Sequence, residues 1–150
     1  MSQFIASVFV IVVVSLLQAS SVFIYSIKPD LALVSLLVLS LINKSWMQRL
    51  VLILLAGVFL TFQPDFDPQI ILFIAVTIGL IFSMDLMPWN HLINLAITTT
   101  LGTFTLNVYN FDLVRVSTEA GYNLILSLAF FLLVRHYIYN EAEISRNKFR

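Results

Sequence analysis

The chain contains no cysteine, which excludes disulfides, thiolate metal sites and cysteine nucleophiles together. Glycine is scarce, with four residues in 150, and none belongs to a glycine-rich phosphate loop, so no nucleotide is expected. Charge is scarce as well: 11% of residues are charged, against about 25% in an ordinary soluble domain. The formal net charge is zero, so no basic field points to nucleic acid as a partner. The two histidines, His91 and His136, have no acidic or histidine neighbour one helical turn away, and no metal pair is expected. Asp65 and Asp67 alternate in a proline-bounded loop without a matching partner, which reads as solvated loop acids rather than an acid/base pair. Neither a catalytic residue nor a cofactor is expected, and an enzyme is not.

What the chain has is apolar length. Hydrophobic residues make up 60% of it, above the roughly 45–50% of soluble domains, and a core of this size could not hide so much apolar surface. The eight basic and eight acidic side chains fall in short joints between apolar stretches. The pattern predicts an all-α, polytopic membrane bundle of about six spans, near residues 4–27, 31–45, 46–63, 68–84, 91–109 and 121–139. These form one transmembrane domain over residues 1–140, followed by a polar cytoplasmic tail at 141–150. The first stretch exceeds the roughly 20 helical residues that cross a bilayer core. The second and third are short and need flanking polar residues to reach the interface, or a locally thinned bilayer. They read as a tight helical hairpin, because fusing them would bury Asn43, Lys44, Gln48 and Arg49 mid-membrane at a cost of several kcal/mol.

Basic residues in short loops set orientation. With both termini cytoplasmic, the inner side holds Lys44, Arg49, Arg135, Arg146, Lys148 and Arg150, and the outer side only Lys28 and Arg115. Six against two predicts a multi-pass membrane protein with both termini inside. A signal peptide is the competing reading of the first stretch, with Ala19 or Ser20 before a cleavage site. The stretch lacks a preceding Lys or Arg and is too long for that role. No ionisable residue is expected inside a span, which argues against a pump or ion pathway.

Uncharged polar residues do recur within the spans. Asn90, Asn94, Thr98 and Gly102 are spaced every four residues, which puts amide, hydroxyl and bare backbone on one helix face. Asn123 and Ser127 after Glu119, and Ser15 and Gln18 in the first stretch, pose the same question. Two readings stay open: close helix packing, with amides and hydroxyls bonding across helices, or the lining of a polar ligand cavity. Gly79 and Ser83 read as packing positions.

The joint Pro29-Asp30-Leu31 after a first span resembles that of MreD, the rod-shape-determining membrane protein family of bacteria. A third stretch with Gly57, Thr61 and Asp65 four residues apart, preceded by Arg49, is similar to the same family. Thr61 replaces a second glycine there, and Pro64 precedes the acid. The resemblance covers residues 1–66. It implies a non-enzymatic scaffold subunit of the cell-wall elongation machinery. The implied partners are membrane lipid, MreC-like proteins and the peptidoglycan synthase complex. It also implies kinship in fold with the substrate-binding subunits of energy-coupling-factor transporters. That supplies an alternative, a subunit that binds a vitamin-like small molecule in an outward pocket lined by the fifth and sixth spans.

Overall fold

A computed structural model describes residues 2–20, 29–61 and 69–147. Among these the chain is all-helical, with no strand. In order come α1 (Ser2–Ala19), α2 (Leu31–Ile42), α3 (Trp46–Leu60), α4 (Gln69–Leu86), α5 (His91–Leu106), a 3-10 turn (Val108–Asn110) and α6 (Leu113–Asn147). Side-chain caps fix several starts. Asp30 accepts from the Leu33 N–H at 3.0 Å, and Asn90 from the Leu92 N–H at 3.1 Å. Asp112 accepts from the Val114 N–H at 3.0 Å, and this cap starts α6 eight residues before the predicted position 121. Hydropathy missed the start because Ser117, Thr118 and Glu119 break the apolar run without breaking the helix. At its other end α6 runs through the predicted polar tail as far as Asn147. The helices at 31–42, 46–60, 69–86 and 91–106 fall within about three residues of the predicted stretches, while positions 21–27 of the first stretch lie outside the described residues.

Helix α2 is the axis of the bundle. Its apolar residues cover the whole circumference rather than one stripe, and a helix of that kind has to be enclosed on all sides. Nine consecutive residues, Ala32 to Ser40, are buried. Helices α1, α3, α4, α5 and α6 all pack on it, and among themselves they join in the order α1, α3, α4, α5, α6. The core follows from this arrangement: Leu33, Leu36, Leu37 and Val38 meet Ile11 of α1, Leu52, Ile53 and Ala56 of α3, Phe73, Leu80 and Ile81 of α4, and Leu95 of α5. Neighbours in sequence run antiparallel, so the joints gather at two ends. One end carries Asp30, Leu60, Gln69, Asn107 and Glu119; the other carries Asn43, Arg49 and Asp85.

The faces turned away from α2 are apolar too. Helix α1 exposes Ile5, Phe9, Val13 and Leu16, and α3 exposes Met47, Val51, Leu54 and Val58, each set on one side at helical spacing. On α4, Ile71, Phe82 and Leu86 are exposed, with Ala75 and Gly79 between them on the same face. No charged side chain interrupts these stripes. Large exposed apolar faces are uncommon on soluble monomers, and these stripes fit an apolar surrounding. Among the described residues two helices, Gln69–Leu86 and Leu113–Tyr137, are long and apolar enough to cross a membrane, while Gln3–Ala19, Leu31–Ile42 and Trp46–Leu60 are shorter apolar helices. The shortness of α2, about 18 Å at 1.5 Å per residue, has a local explanation. It is walled by protein along its length, and its ends are met by side chains of its neighbours.

Candidate functional site

The N-terminus of α2 is closed by a chain of hydrogen bonds that joins four helices. The side chain of Gln18, on α1, accepts from the Ala32 N–H at 2.6 Å and donates to Asp30 Oδ1 at 3.1 Å. The Asp30 N–H donates to Asn123 Oδ1 of α6 at 2.9 Å. Asn123 Nδ2 donates in turn to Thr103 Oγ1 of α5 at 2.9 Å, and Thr103 Oγ1 donates to the Thr99 carbonyl at 3.0 Å. The first amides of a helix have no partner within it; here the Leu31 N–H donates to the Pro29 carbonyl at 3.0 Å, that of Ala32 to Gln18 and that of Leu33 to Asp30. The Asp30 carboxylate also sits at the positive end of the α2 dipole, a favourable place for it.

Above this plug lies a pocket of about 230 Å³. Gln18, Asp30, Asn107, Arg115 and Glu119 line it together with Gln69, and Leu60, Ile70, Phe73 and Leu106 complete the wall. The polar part comes from α1, α2, the end of α5 and the start of α6; the apolar part comes chiefly from α3 and α4. Glu119 is buried and accepts from Asn107 Nδ2 at 3.3 Å, which also donates to the Thr103 carbonyl at 2.9 Å. Arg115 stands one turn before Glu119 on α6 and is exposed.

The other end of α2 is closed by Arg49. This side chain is buried, and its Nε donates to the Ser40 carbonyl at 3.1 Å and the Asn43 carbonyl at 2.7 Å. Its Nη1 pairs with Asp85 at the end of α4, and its guanidinium lies 5.5 Å from the Trp46 ring centroid. A cation on the last carbonyls of a helix meets the negative end of its dipole. Asn43 Nδ2 donates to Ser7 Oγ at 2.9 Å, adding α1 to the same joint. Arg49 and Glu119 thus correct the expectation that ionisable groups stay out of the interior. Both lie near helix ends in the sequence, yet both are folded inward.

The residues of the predicted polar band lie at helix caps and helix contacts. Asn90 caps α5 at an exposed position. Asn94 is buried and donates to the Met84 and Met87 carbonyls at 3.3 and 3.2 Å, closing the end of α4. Thr98 donates to the Asn94 carbonyl at 2.7 Å and approaches Met84 Sδ at 3.6 Å. Gly102 lets α5 close on α2 and α4: a Cβ there would stand 2.7 Å from Leu80 Cδ1 and 2.9 Å from Leu33 Cδ2. Ser127 donates to the Leu124 carbonyl of its own helix at 2.9 Å. None of these residues lines the pocket; Asn123 reaches it only through Asp30.

Of the family-like positions, Pro29 is buried beside Asp30. Gly57 allows α3 to approach α4, since a Cβ there would stand 2.9 Å from Ile74 Cδ1, while Asp65 lies outside the described residues. Gly79 corrects its packing assignment, because a Cβ there would meet open space. The sequence reading did not single out Asn107 or the Arg49–Asp85 pair; a polar residue just past the last apolar turn of α5 was the one available signal for Asn107. Among the described residues no group of three His, Asp or Glu could hold a metal ion. No protein family, curated protein or solved structure matches the chain.

Proposed function

We propose that the chain is a multi-pass protein of the bacterial inner membrane, with six spans and both termini cytoplasmic, that acts as a non-enzymatic scaffold. In this reading it resembles MreD and binds other membrane proteins of the cell-wall elongation machinery, an MreC-like protein among them. The observation that carries the reading is that the bundle is apolar outside, with its central helix enclosed on all sides. Most of the polar band of α5 is engaged in packing around Gly102 and Asn94, with Asn94 Oδ1 and Thr99 Oγ1 buried without a partner among the described residues, and what the molecule offers its surroundings is a set of uncharged helix faces. Short helices count less against spanning when protein, not lipid, encloses them, as with α2, and hydrophobic mismatch carries only a modest cost per ångström.

The test is capture from native membranes. The protein, cross-linked before detergent extraction, is expected to bring down an MreC-like partner, and a Val51→Ser/Leu54→Ser/Val58→Ser variant of the exposed α3 face is expected to lower the yield with the fold intact. Recovery from the soluble fraction would overturn the membrane reading, and membrane residence without any such partner would overturn the scaffold reading.

One observation favours a second reading, a small-molecule-binding subunit. The pocket lies at the end of the bundle that the charge distribution assigns to the outside. Its lining is polar on one side and apolar on the other, as ligand sites are. Retention of a stoichiometric small molecule through purification would support this reading over the first.

A further inference from the structure

We infer that the pocket above α2 takes a small zwitterion, an ammonium and a carboxylate joined on a compact apolar body, as in an apolar α-amino acid; this rests on the binding-subunit reading of that pocket. Several polar groups of the lining are spent within the protein. Asp30 Oδ1 accepts from Gln18 Nε2 and from the Leu33 N–H, and Asp30 has a further interaction besides. The Gln18 oxygen accepts from the Ala32 N–H, and Gln69 has a partner of its own. Two charged side chains of the lining remain, Glu119 and Arg115. Glu119 is buried, and its one hydrogen bond among the described residues comes from a neutral amide, that of Asn107, at 3.3 Å. Arg115 is exposed at the rim; its backbone N–H meets Asp112, and its guanidinium bonds to none of the described residues. These two stand one turn apart on α6, where side chains are within reach of each other. Even so, among the described residues the ion pair that forms is Arg49–Asp85, not Arg115–Glu119. Both charges line one space without closing on each other.

The two simpler occupants fail on charge. A lone anion would meet the buried Glu119, and the amides at the start of α2, which would otherwise hold it, are taken by Asn123, Gln18 and Asp30. A lone cation would find one open carboxylate and stand beside a guanidinium. A zwitterion satisfies both. Its ammonium donates to Glu119 and to Asn107 Oδ1, which accepts no bond among the described residues. Its carboxylate takes the Arg115 fork, whose geometry matches it. The apolar body lies against Leu60, Phe73 and Leu106, and apolar walls strengthen charge interactions beside them. At about 230 Å³ the space is smaller than the roughly 300–1,000 Å³ of drug-sized sites, so the occupant is compact. The same pair of groups is carried by free amino acids and by the headgroup of phosphatidylserine.

The protein is reconstituted in phosphatidylglycerol nanodiscs and titrated calorimetrically with leucine, with 3-methylbutylamine, which lacks the carboxylate, and with 4-methylpentanoate, which lacks the ammonium. Leucine is expected to bind saturably and more tightly than either analogue. Glu119→Gln is expected to weaken leucine about tenfold or more, the worth of a hydrogen bond to a charged group, and to leave 4-methylpentanoate no weaker. Arg115→Gln is expected to weaken leucine by up to about fivefold, as for an exposed ion pair, and to leave the amine no weaker. A purely structural role would weaken every probe alike, and the exposed Arg115 variant keeps the test decisive if Glu119→Gln fails to fold. Loss of leucine binding when phosphatidylserine replaces phosphatidylglycerol would assign the two groups to the lipid headgroup, and its retention to a free amino acid. An analogue that binds as tightly as leucine would overturn the zwitterion and leave the pocket as a ligand site. Failure of all three probes would overturn the inference, and the binding-subunit reading falls with it if the purified protein also carries no small molecule by mass spectrometry.

Discussion

Asn123 and Asp30 are 93 positions apart, yet the side-chain oxygen of the first receives the backbone N–H of the second at 2.9 Å. The same amide donates to Thr103 at 2.9 Å, so one side chain ties α2, α5 and α6 together at a site closed to solvent. Asn123→Leu fills a similar space and removes both bonds. It leaves the Asp30 N–H without its acceptor, which costs about 1–3 kcal/mol, while Thr103 keeps its bond to the Thr99 carbonyl. Reversible unfolding in mixed micelles should show a loss in that range, and a variant as stable as the parent would remove Asn123 from the account of how α2 is held.

At the opposite end the two members of one ion pair are predicted to behave unequally. Arg49 is buried and serves two carbonyls as well as Asp85, whereas the Asp85 side chain is 40% exposed. Arg49→Met is expected to cost about 1.5–3 kcal/mol, the range for hydrogen bonds from a charged donor. Asp85→Asn is expected to cost about 1 kcal/mol or less, as for a solvated pair. Equal losses in the same unfolding measurement would place the stabilisation in the ion pair rather than in the closing of α2.

Two glycines on neighbouring helices should respond to alanine with opposite sign. At Gly102 a methyl group presses on Leu33 and Leu80, and displacing both leucines costs about 1–3 kcal/mol. At Gly79 the same methyl meets open space, and the gain in helix propensity is worth up to about 1 kcal/mol. Thermal unfolding of the two variants side by side reads the difference.

Asp30→Ala removes the N-cap of α2 and the acceptor of Gln18 Nε2 together. Loss of a cap costs about 0.5–2 kcal/mol. Asp30→Asn keeps an oxygen acceptor and should recover most of that stability. A parent-like midpoint for Asp30→Ala would reduce the Pro29-Asp30 joint to punctuation in the chain.

Because the chain has no cysteine, single cysteines report topology without background. Cysteines at Lys44 and Met87 are expected to react only with reagent supplied from the cytoplasmic side, and one at Asp112 only from outside. Labelling of Lys44Cys and Asp112Cys from the same side would overturn the alternating arrangement of the helices.

Element positions were legible because each apolar run ends at a joint with its own signal: Asp30 at the start of α2, Asn43 to Ser45 before α3, Asn90 before α5. The start of α6 was not, since Asp112 caps a first turn whose residues are polar enough to pass for a loop. The α5 band was recognisable as a band, but its use was not. A threonine hydroxyl in a helix can bond the carbonyl four residues back, as Thr77, Thr98, Thr100, Thr103 and Thr105 do. Residues bonded in this way need neither water nor ligand, although the Thr99 hydroxyl in the same row is buried without a partner among the described residues, and their spacing is the same whether they pack or line a cavity. Gln18, Asp30 and Glu119 each stand out singly in the sequence, but the pocket they share does not, for a different reason. Gln18, Asp30, Asn107 and Glu119 come from separate segments, and no local pattern records that they converge.

The enclosure of α2 bears on the order in which the protein is made. A segment of 12 residues is too short to hold a place in a bilayer by itself, and the groups that close its start come from α1 on one side and α6 on the other. As the chain emerges, the partner on α1 is available at once, but the partner on α6 exists only after the ribosome has travelled another 93 residues. Until then the start of α2 is half closed. The central helix is thus among the first to be synthesised and among the last to be secured, and a chain cut short before α6 would carry its own axis unfinished.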